Sequence, residues 1–433
     1  MEEQLTDTES AYERVLLVGV DDGSTEVDFE GSMEELKSLA KACFMEPVGM
    51  ITQRMESVNN GLYIGTGKVQ EVKEAAELLE AEVIVFDDTL TPSQLRNLQK
   101  ELDLAILDRT TLILDIFETR ARTREAKLQV ESARLKYLLP RLVGMHKALT
   151  RQGGTSGSMS SRGAGEKKLE LDRRRIEHRI SELSKELEEV SRERRVQRKK
   201  RNSSRIPLVA LVGYTNAGKS TIMNSLVDKY VKEEEKRVLE KDMLFATLDT
   251  TVRRINTGSN KDFLLSDTVG FIHKLPHGLI KAFHSTLEEV EGADLLLQVV
   301  DYSDPYYKEQ METTGKTLLE LKAGDIPMIT VFNKADKCGE KISYPKIVGK
   351  DKIYLSAKED VSIDLLTDMI LDRIYEDYEP AEFLIPYEDG RTLSYFMENA
   401  HVTDKEYQEK GTLIKVKCHK ADRDKYKDYL LAE

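Results

Sequence analysis

The residues whose types and spacing could most plainly do chemistry are PLVALVGYTNAGKST at positions 207–221, an apolar run followed by GxxxxGKS and a helix-forming stretch. Gly213 and Gly218 would let the backbone N–H groups of Tyr214, Thr215, Asn216 and Ala217 close around phosphate oxygens, with a helix N-terminus behind them. Lys219 would then reach the β and γ phosphates. The Ser220 hydroxyl, with Thr221 beside it, is suited to Mg²⁺.

The loop alone does not choose a base. MITVFNKAD places Asn333, Lys334 and Asp336 at the end of an apolar run, where an Asp carboxylate can accept both N1–H and N2–H of guanine and a Lys stem can cover the ring. Adenine offers no such pair of donors. LSAK at 355–358 would complete the pocket with the backbone amides of Ser356, Ala357 and Lys358. The expected ligands are therefore GTP and GDP.

FLLSDTVGF at 263–271 adds Asp267, expected to hold Mg²⁺ through water, and Gly270, whose amide suits the γ-phosphate. LFATLDTT at 244–251 supplies hydroxyls for closing on the metal; Thr247 is the choice, with Thr250 and Thr251 open. Lys219, Thr247 and Gly270 would act in hydrolysis of GTP to GDP and phosphate, and both segments would order with GTP and relax after hydrolysis. Ras-like enzymes carry a water-orienting glutamine after the DxxG glycine, whereas this chain has Phe271. Slow intrinsic hydrolysis is expected, with a partner ordering the site. Asn216 occupies the P-loop position at which some related GTPases coordinate K⁺; a turn-forming role is equally open.

Positioning these groups takes an α/β framework. At 433 residues the chain should form several domains. Short apolar runs alternate with helical patterns through residues 1–110, predicting a small α/β domain with a largely parallel sheet, in which Ser32 caps the first helix. From Thr111 the pattern becomes one long charged helix with Ala121, Leu128, Leu135 and Leu142 at heptad spacing; Leu169, Ile176, Leu183 and Val190 repeat that spacing. Between the two runs lies RQGGTSGSMSSRGAGEKK at 151–168. Residues 111–203 thus read as an antiparallel helical hairpin with a glycine-rich tip loop at 152–166, kinked or frayed near Pro140 and Gly144. Residues 204–378 form a P-loop GTPase domain with a mixed, mostly parallel sheet, and 379–433 a small α+β appendage.

Composition limits the alternatives. A net charge of -13 argues against nucleic-acid binding over the whole surface, yet Arg173, Arg174 and Arg175 and the run at 192–205 concentrate positive charge centrally. Cys43, Cys338 and Cys418 are scattered, without metal-like spacing or a disulfide framework. No apolar run nears the roughly 18 residues of a membrane span, and the acidic N-terminus does not resemble a secretory signal. A cytoplasmic monomer without a membrane span is expected.

With these motifs go GLYIGTGKVQEV, FDDTLTPSQLRNLQ and ILDRTTLILDIFETRARTREAKLQVESARLKYLLPRL, and nearly the whole chain resembles the HflX-type GTPases. The resemblance implies a translation-associated GTPase that binds the large ribosomal subunit, splits stalled or idle ribosomes when GTP is bound, and uses hydrolysis for release. It places the 151–168 loop at the hairpin tip among ribosomal RNA, where Arg151, Arg162, Lys167 and Lys168, followed by Arg173 and Arg174, would contact phosphates. The other reading is a signalling GTPase whose hairpin docks a protein partner, which the net negative charge fits. GTGK at 65–68 could hold an anion at a helix N-terminus or be only a turn; since some family members are said to use ATP through this domain, ATP is an open second ligand.

Overall fold

The computed structural model describes residues 12–23, 28–151, 159–203, 206–231, 245, 251–258, 261–276, 289–341, 343–376 and 378–431. These fall into two units: Met1–Val190 with Met243–Leu248 and Ile272–His284, and Ser191–Asp242 with Asp249–Phe271 and Ser285–Glu433.

The first unit is built on β1 (Glu13–Asp21), α1 (Phe29–Ala42), β2 (Met45–Arg54), α2 (Thr66–Leu78), β3 (Val83–Phe86), α3 (Pro92–Leu102) and β4 (Ala105–Asp108). All strand pairs are parallel, in the order β2-β1-β3-β4. Helices cover the faces of such a sheet, so its central strands read as continuous apolar runs: VLLVGV and VIVF are buried throughout. Thr91 caps α3 by accepting the Gln94 amide while the Gln94 side chain accepts the Thr91 amide, so TPSQ starts a helix by its own hydrogen bonds.

Two helix boundaries differ from the sequence reading. Helix α1 begins at Phe29, not after Ser32, because the Ser32 hydroxyl donates to Asp87 (2.8 Å) from inside the helix and is unavailable as a cap. The long helix expected from Thr111 is two, α4 (Arg109–Arg120) and α5 (Arg124–Arg151). Ala121 is extended and the Thr123 hydroxyl accepts the Ala126 amide, so a new N-terminus interrupts the heptad pattern.

Helix α6 (Met159–Ser203) runs antiparallel to α5: Glu131 pairs with Arg179 (2.7 Å) and, one step further apart in both directions, Arg124 pairs with Glu186 (3.1 Å). Leu128 and Leu183 are buried on the heptad seams. The predicted loop at 152–166 is shorter than its composition suggests, since α6 already includes Gly163 and Gly165. Each glycine costs a helix about 1 kcal/mol relative to alanine, which a long continuing helix can absorb. Helix α5 continues through Pro140.

The second unit contains β5 (Leu208–Gly213), α7 (Lys219–Tyr230), β6 (Thr251–Ile255), β7 (Phe263–Asp267), β8 (Leu295–Asp301), α8 (Tyr307–Glu320), β9 (Met328–Asn333), β10 (Lys346–Val348), β11 (Lys352–Tyr354) and α9 (Asp360–Ile374). Its seven-stranded sheet, β10-β11-β9-β8-β5-β7-β6, is parallel except for the edge strands β6 and β10. Val209, Leu211, Leu297 and Val331 pack against Ile222, Leu226, Leu366 and Ile370 in its core. The C-terminal part is an antiparallel sheet of β12 (Tyr378–Ile385), β14 (Gly411–His419) and β13 (His401–Gln408), with α10 (Gly390–Asn399) and α11 (Lys420–Lys425), around Phe383, Phe396 and Ile414.

The stretch read as one GTPase domain is thus divided in its packing. Phe245 stacks edge-on against Phe117 at 4.7 Å, and Lys274 pairs with Asp87, which draws parts of 243–248 and 272–284 into the first unit.

Candidate nucleotide-binding site

The loop after β5 owes its shape to three left-handed positions. Gly213 has φ +141°, and a Cβ there would lie 2.2 Å from the Val299 carbonyl oxygen; Gly218 has φ +98°, and its Cβ would meet Asn333 Nδ2 at 2.2 Å. Only glycine fits either place. Asn216, at φ +59°, is a residue type that tolerates this conformation, and its exposed side chain leaves the turn and K⁺ readings as they were. Helix α7 starts at Lys219, and its N-cap, Gly218, makes no side-chain hydrogen bond to the first amides.

Lys219 is buried, and its Nζ donates to the carbonyls of Gly213 (3.1 Å) and Tyr214 (2.7 Å). Burial lowers its pKa to about 8, partly countered by the Asp267 carboxylate. Ser220 Oγ donates to Asp267 Oδ2 at 2.9 Å, joining the start of α7 to the end of β7. A hydroxyl and a carboxylate side by side are hard oxygen donors of the kind Mg²⁺ takes alongside phosphate oxygens, so the donor set fits this ion. Thr247 and Thr250 lie outside the described residues, and Thr251 is the first residue of β6.

The base-side motif works first as a clasp. Asn333 Nδ2 donates to the Ala217 carbonyl (2.9 Å) and its Oδ1 accepts the Ala357 amide (3.0 Å), tying phosphate loop to SAK loop. Ser225 on α7 adds a bond to the Ala357 carbonyl (2.8 Å). Ser356 and Ala357 are buried, whereas Asp336 and Lys358 are exposed, as a base-reading carboxylate requires. Lys334 donates to the Asn216 carbonyl (2.8 Å) and to Asp301 Oδ2 (2.7 Å). Sequence reasoning passed over Asp301, which ends β8; a carboxylate closing the apolar run LLLQVV was the available signal.

Gly270 is pressed onto the loop: a Cβ there would lie 2.7 to 3.0 Å from Thr215 atoms. Phe271, buried, donates its amide to the Gly213 carbonyl (3.1 Å) and accepts the Thr215 amide (2.9 Å). On the hairpin, Arg151 ends α5, while Arg162, Lys167 and Lys168 lie within α6; the side chains of these four are outside the described residues. Arg173 and Arg174 are exposed and paired with Glu177 (2.9 Å) and Glu170 (3.1 Å) one turn away.

The site so built matches known proteins along its length. Three family models cover residues 30–118 (GTP-binding GTPase N-terminal), 120–201 (GTP-binding GTPase Middle Region) and 208–334 (50S ribosome-binding GTPase). GTPase HflX of Caldanaerobacter subterraneus is 42% identical over 422 residues, covering 97% of this chain and 94% of that protein. The chain belongs to the HflX family of GTPases. GTPase HflX of Escherichia coli is 38% identical, covering 88% of each chain. A solved structure, "crystal structure of SsGBP and GDP complex", aligns at TM-score 0.45 and 25% identity over 84% of this chain and 99% of its own. As an HflX GTPase, the protein binds GTP and GDP and hydrolyses GTP. Among the described residues no helix is long and apolar enough to cross a membrane.

Proposed function

We propose that this GTPase works on the large ribosomal subunit: with GTP bound it dissociates stalled or idle ribosomes, and hydrolysis releases it. The observation that carries the reading is the family model for a 50S ribosome-binding GTPase over residues 208–334, on the chain that also presents a long antiparallel hairpin. The division expected from sequence belongs to this reading: an N-terminal domain to 110, a hairpin to 203, a GTPase domain to 378 and a C-terminal domain. So do phosphate contacts by Arg151, Arg162, Lys167, Lys168, Arg173 and Arg174, although the ion pairs of Arg173 and Arg174 would have to exchange for RNA.

In the site itself, Lys219 and the loop amides hold the phosphates, Asp336 and the SAK amides read guanine, and Gly270 follows the γ-phosphate. Mg²⁺, when bound, neutralises phosphate charge; Ser220 and Asp267 would hold it, with Thr247 joining them. Phe271 has no group to orient water, so hydrolysis is slow until the ribosome orders the site. K⁺ at Asn216, a cytoplasmic location and a monomeric state complete the reading. ATP at Gly65–Lys68 is its weakest element, because the Gly65 amide is taken by Gln53 (2.9 Å) and Lys68 by Glu71 (2.7 Å).

The test is GTP hydrolysis in K⁺ buffer with and without purified large subunits, on the intact chain and on one shortened within 153–165. Strong stimulation, lost on shortening, is expected. An intact chain indifferent to subunits would sink the ribosomal reading in favour of a hairpin that docks a protein.

A further inference from the structure

Around Gly270 the nucleotide site leaves a polar group unaccounted for. Thr215, in the phosphate loop, is 7% exposed, and its hydroxyl is buried with no hydrogen-bond partner among the described residues. Buried polar groups are nearly always paired, so an exception calls for a physical role. Hydroxyls nearby are engaged: Ser220 Oγ donates to Asp267 (2.9 Å) and Thr268 Oγ1 to the Leu211 carbonyl (2.6 Å).

The place of this hydroxyl narrows the role. A Cβ built on Gly270 would lie 2.7 Å from Thr215 Cγ2, 2.8 Å from its Cα and 3.0 Å from its amide nitrogen, so the threonine methyl rests on the glycine. The hydroxyl sits on the same Cβ, and a turn about χ1 exchanges the two. The γ-phosphate that Gly270 follows in the proposed function therefore lies beside Thr215. Phe271 borders the same place but offers nothing to it: its ring has no hydrogen-bonding group, its amide donates to the Gly213 carbonyl (3.1 Å), and its carbonyl accepts the Thr215 amide (2.9 Å).

We propose that Thr215 is a catalytic residue whose hydroxyl holds the attacking water against the γ-phosphate, the task that a glutamine performs in Ras-like enzymes. A threonine hydroxyl can serve both neighbours at once, having one hydrogen to donate and two lone pairs to accept with. It accepts a hydrogen bond from the water and donates one to a γ-phosphate oxygen, keeping its own proton throughout. The water oxygen bonds to the γ-phosphorus as the bond from that phosphorus to the bridging oxygen breaks; GDP leaves with the electron pair, and the water's proton passes to the released phosphate. An interaction realised only during reaction contributes to turnover and little to GDP binding. A single rotatable hydroxyl is a weak substitute for glutamine, which keeps the intrinsic rate low. The inference rests on the reading that Gly270 marks the γ-phosphate and on no ribosomal contact.

The test uses the full chain without ribosomes, with Mg²⁺ in K⁺ buffer. Single-turnover hydrolysis at saturating GTP, affinity for GDP, affinity for GDP with aluminium fluoride as a mimic of the transferring phosphoryl group, and melting temperature are compared for the wild type, Thr215→Val, Thr215→Ser and Gly270→Ala. Thr215→Val keeps the shape and loses the hydroxyl. Its hydrolysis should slow by about fivefold or more, with a like loss of affinity for the aluminium fluoride complex and GDP affinity within about twofold of the wild type. Its melting temperature should not fall, because the hydroxyl removed is buried and unpaired. Thr215→Ser keeps the hydroxyl and should stay within about twofold of the wild-type rate. A smaller slowing in Thr215→Val, a loss of GDP affinity that matches the loss of rate, or equal slowing in the two Thr215 variants overturns the proposal. Gly270→Ala separates this outcome from a failure of the site reading: hydrolysis at the wild-type rate in that variant would take the γ-phosphate away from Gly270, and the proposal with it.

Discussion

Asn333 donates through Nδ2 to the main-chain carbonyl of Ala217, 116 residues earlier, at 2.9 Å. With Oδ1 accepting the Ala357 amide, one buried side chain fixes the distance between the loop for phosphate and the loop for base. Replacing Asn333 with Ala leaves a buried carbonyl and a buried amide unpaired, each worth about 1–3 kcal/mol. GDP affinity should fall at least about tenfold, together with the melting temperature. Asn333→Asp keeps the acceptor for Ala357 but loses the donor to Ala217, so its affinity should lie between. Fluorescent-GDP titration of the two variants would separate the halves of the clasp, and equal losses would show that the bond to Ala217 carries all of it.

Asp301 and Lys334 form the second joint of the pocket. Both are less than one-fifth exposed, and Asp301 Oδ1 is itself held by the Ser303 amide (3.0 Å) and hydroxyl (2.6 Å). The carboxylate therefore aims the lysine stem from a rigid seat. Asp301→Asn retains the shape and can keep the Ser303 bonds while removing the charge facing Lys334. A drop in GDP affinity of about five- to tenfold is expected, with single-turnover hydrolysis at saturating GTP little changed. Undiminished affinity would mean that the Asn216 carbonyl suffices to hold Lys334.

What was legible in the sequence follows from the range of the interactions. The phosphate loop, NKAD and SAK are each a few consecutive residues, and in the first of them Gly213 and Gly218 mark the positive-φ turns, so residue types within one short run reveal the role. The α/β framework shows for the same reason, since VLLVGV and LLLQVV carry a parallel strand's signature in themselves. Joints between distant segments did not show. FDD and LDRT look like ordinary strand ends until Arg109 meets Asp87, and HK after DTVGF is unremarkable until Lys274 finds two carboxylates. The helix break at Ala121 was hidden by heptad spacing that continues across it, and Ser32 looked like a cap only because its partner, Asp87, lies 55 residues away.

Lys219 supplies a pH dependence with a definite sign. Its amine ordinarily titrates at 10.5 and burial brings it to about 8, so near pH 9 it is mostly neutral in the pocket although it would be charged in water. The folded protein binds this proton less tightly than the unfolded chain; its contribution to stability is therefore unfavourable below about pH 8 and is relieved as pH rises toward 10.5. Phosphate oxygens next to the amine favour the ammonium form and raise the pKa again. GDP or GTP binding at pH 9 should thus take up a proton, approaching about one per nucleotide, while binding at pH 7, where the amine is already charged, should take up almost none. Calorimetric titration in buffers of different ionisation enthalpy reads this number directly. Lys219→Met should abolish the uptake at pH 9; uptake that persists in that variant would assign the proton to another group.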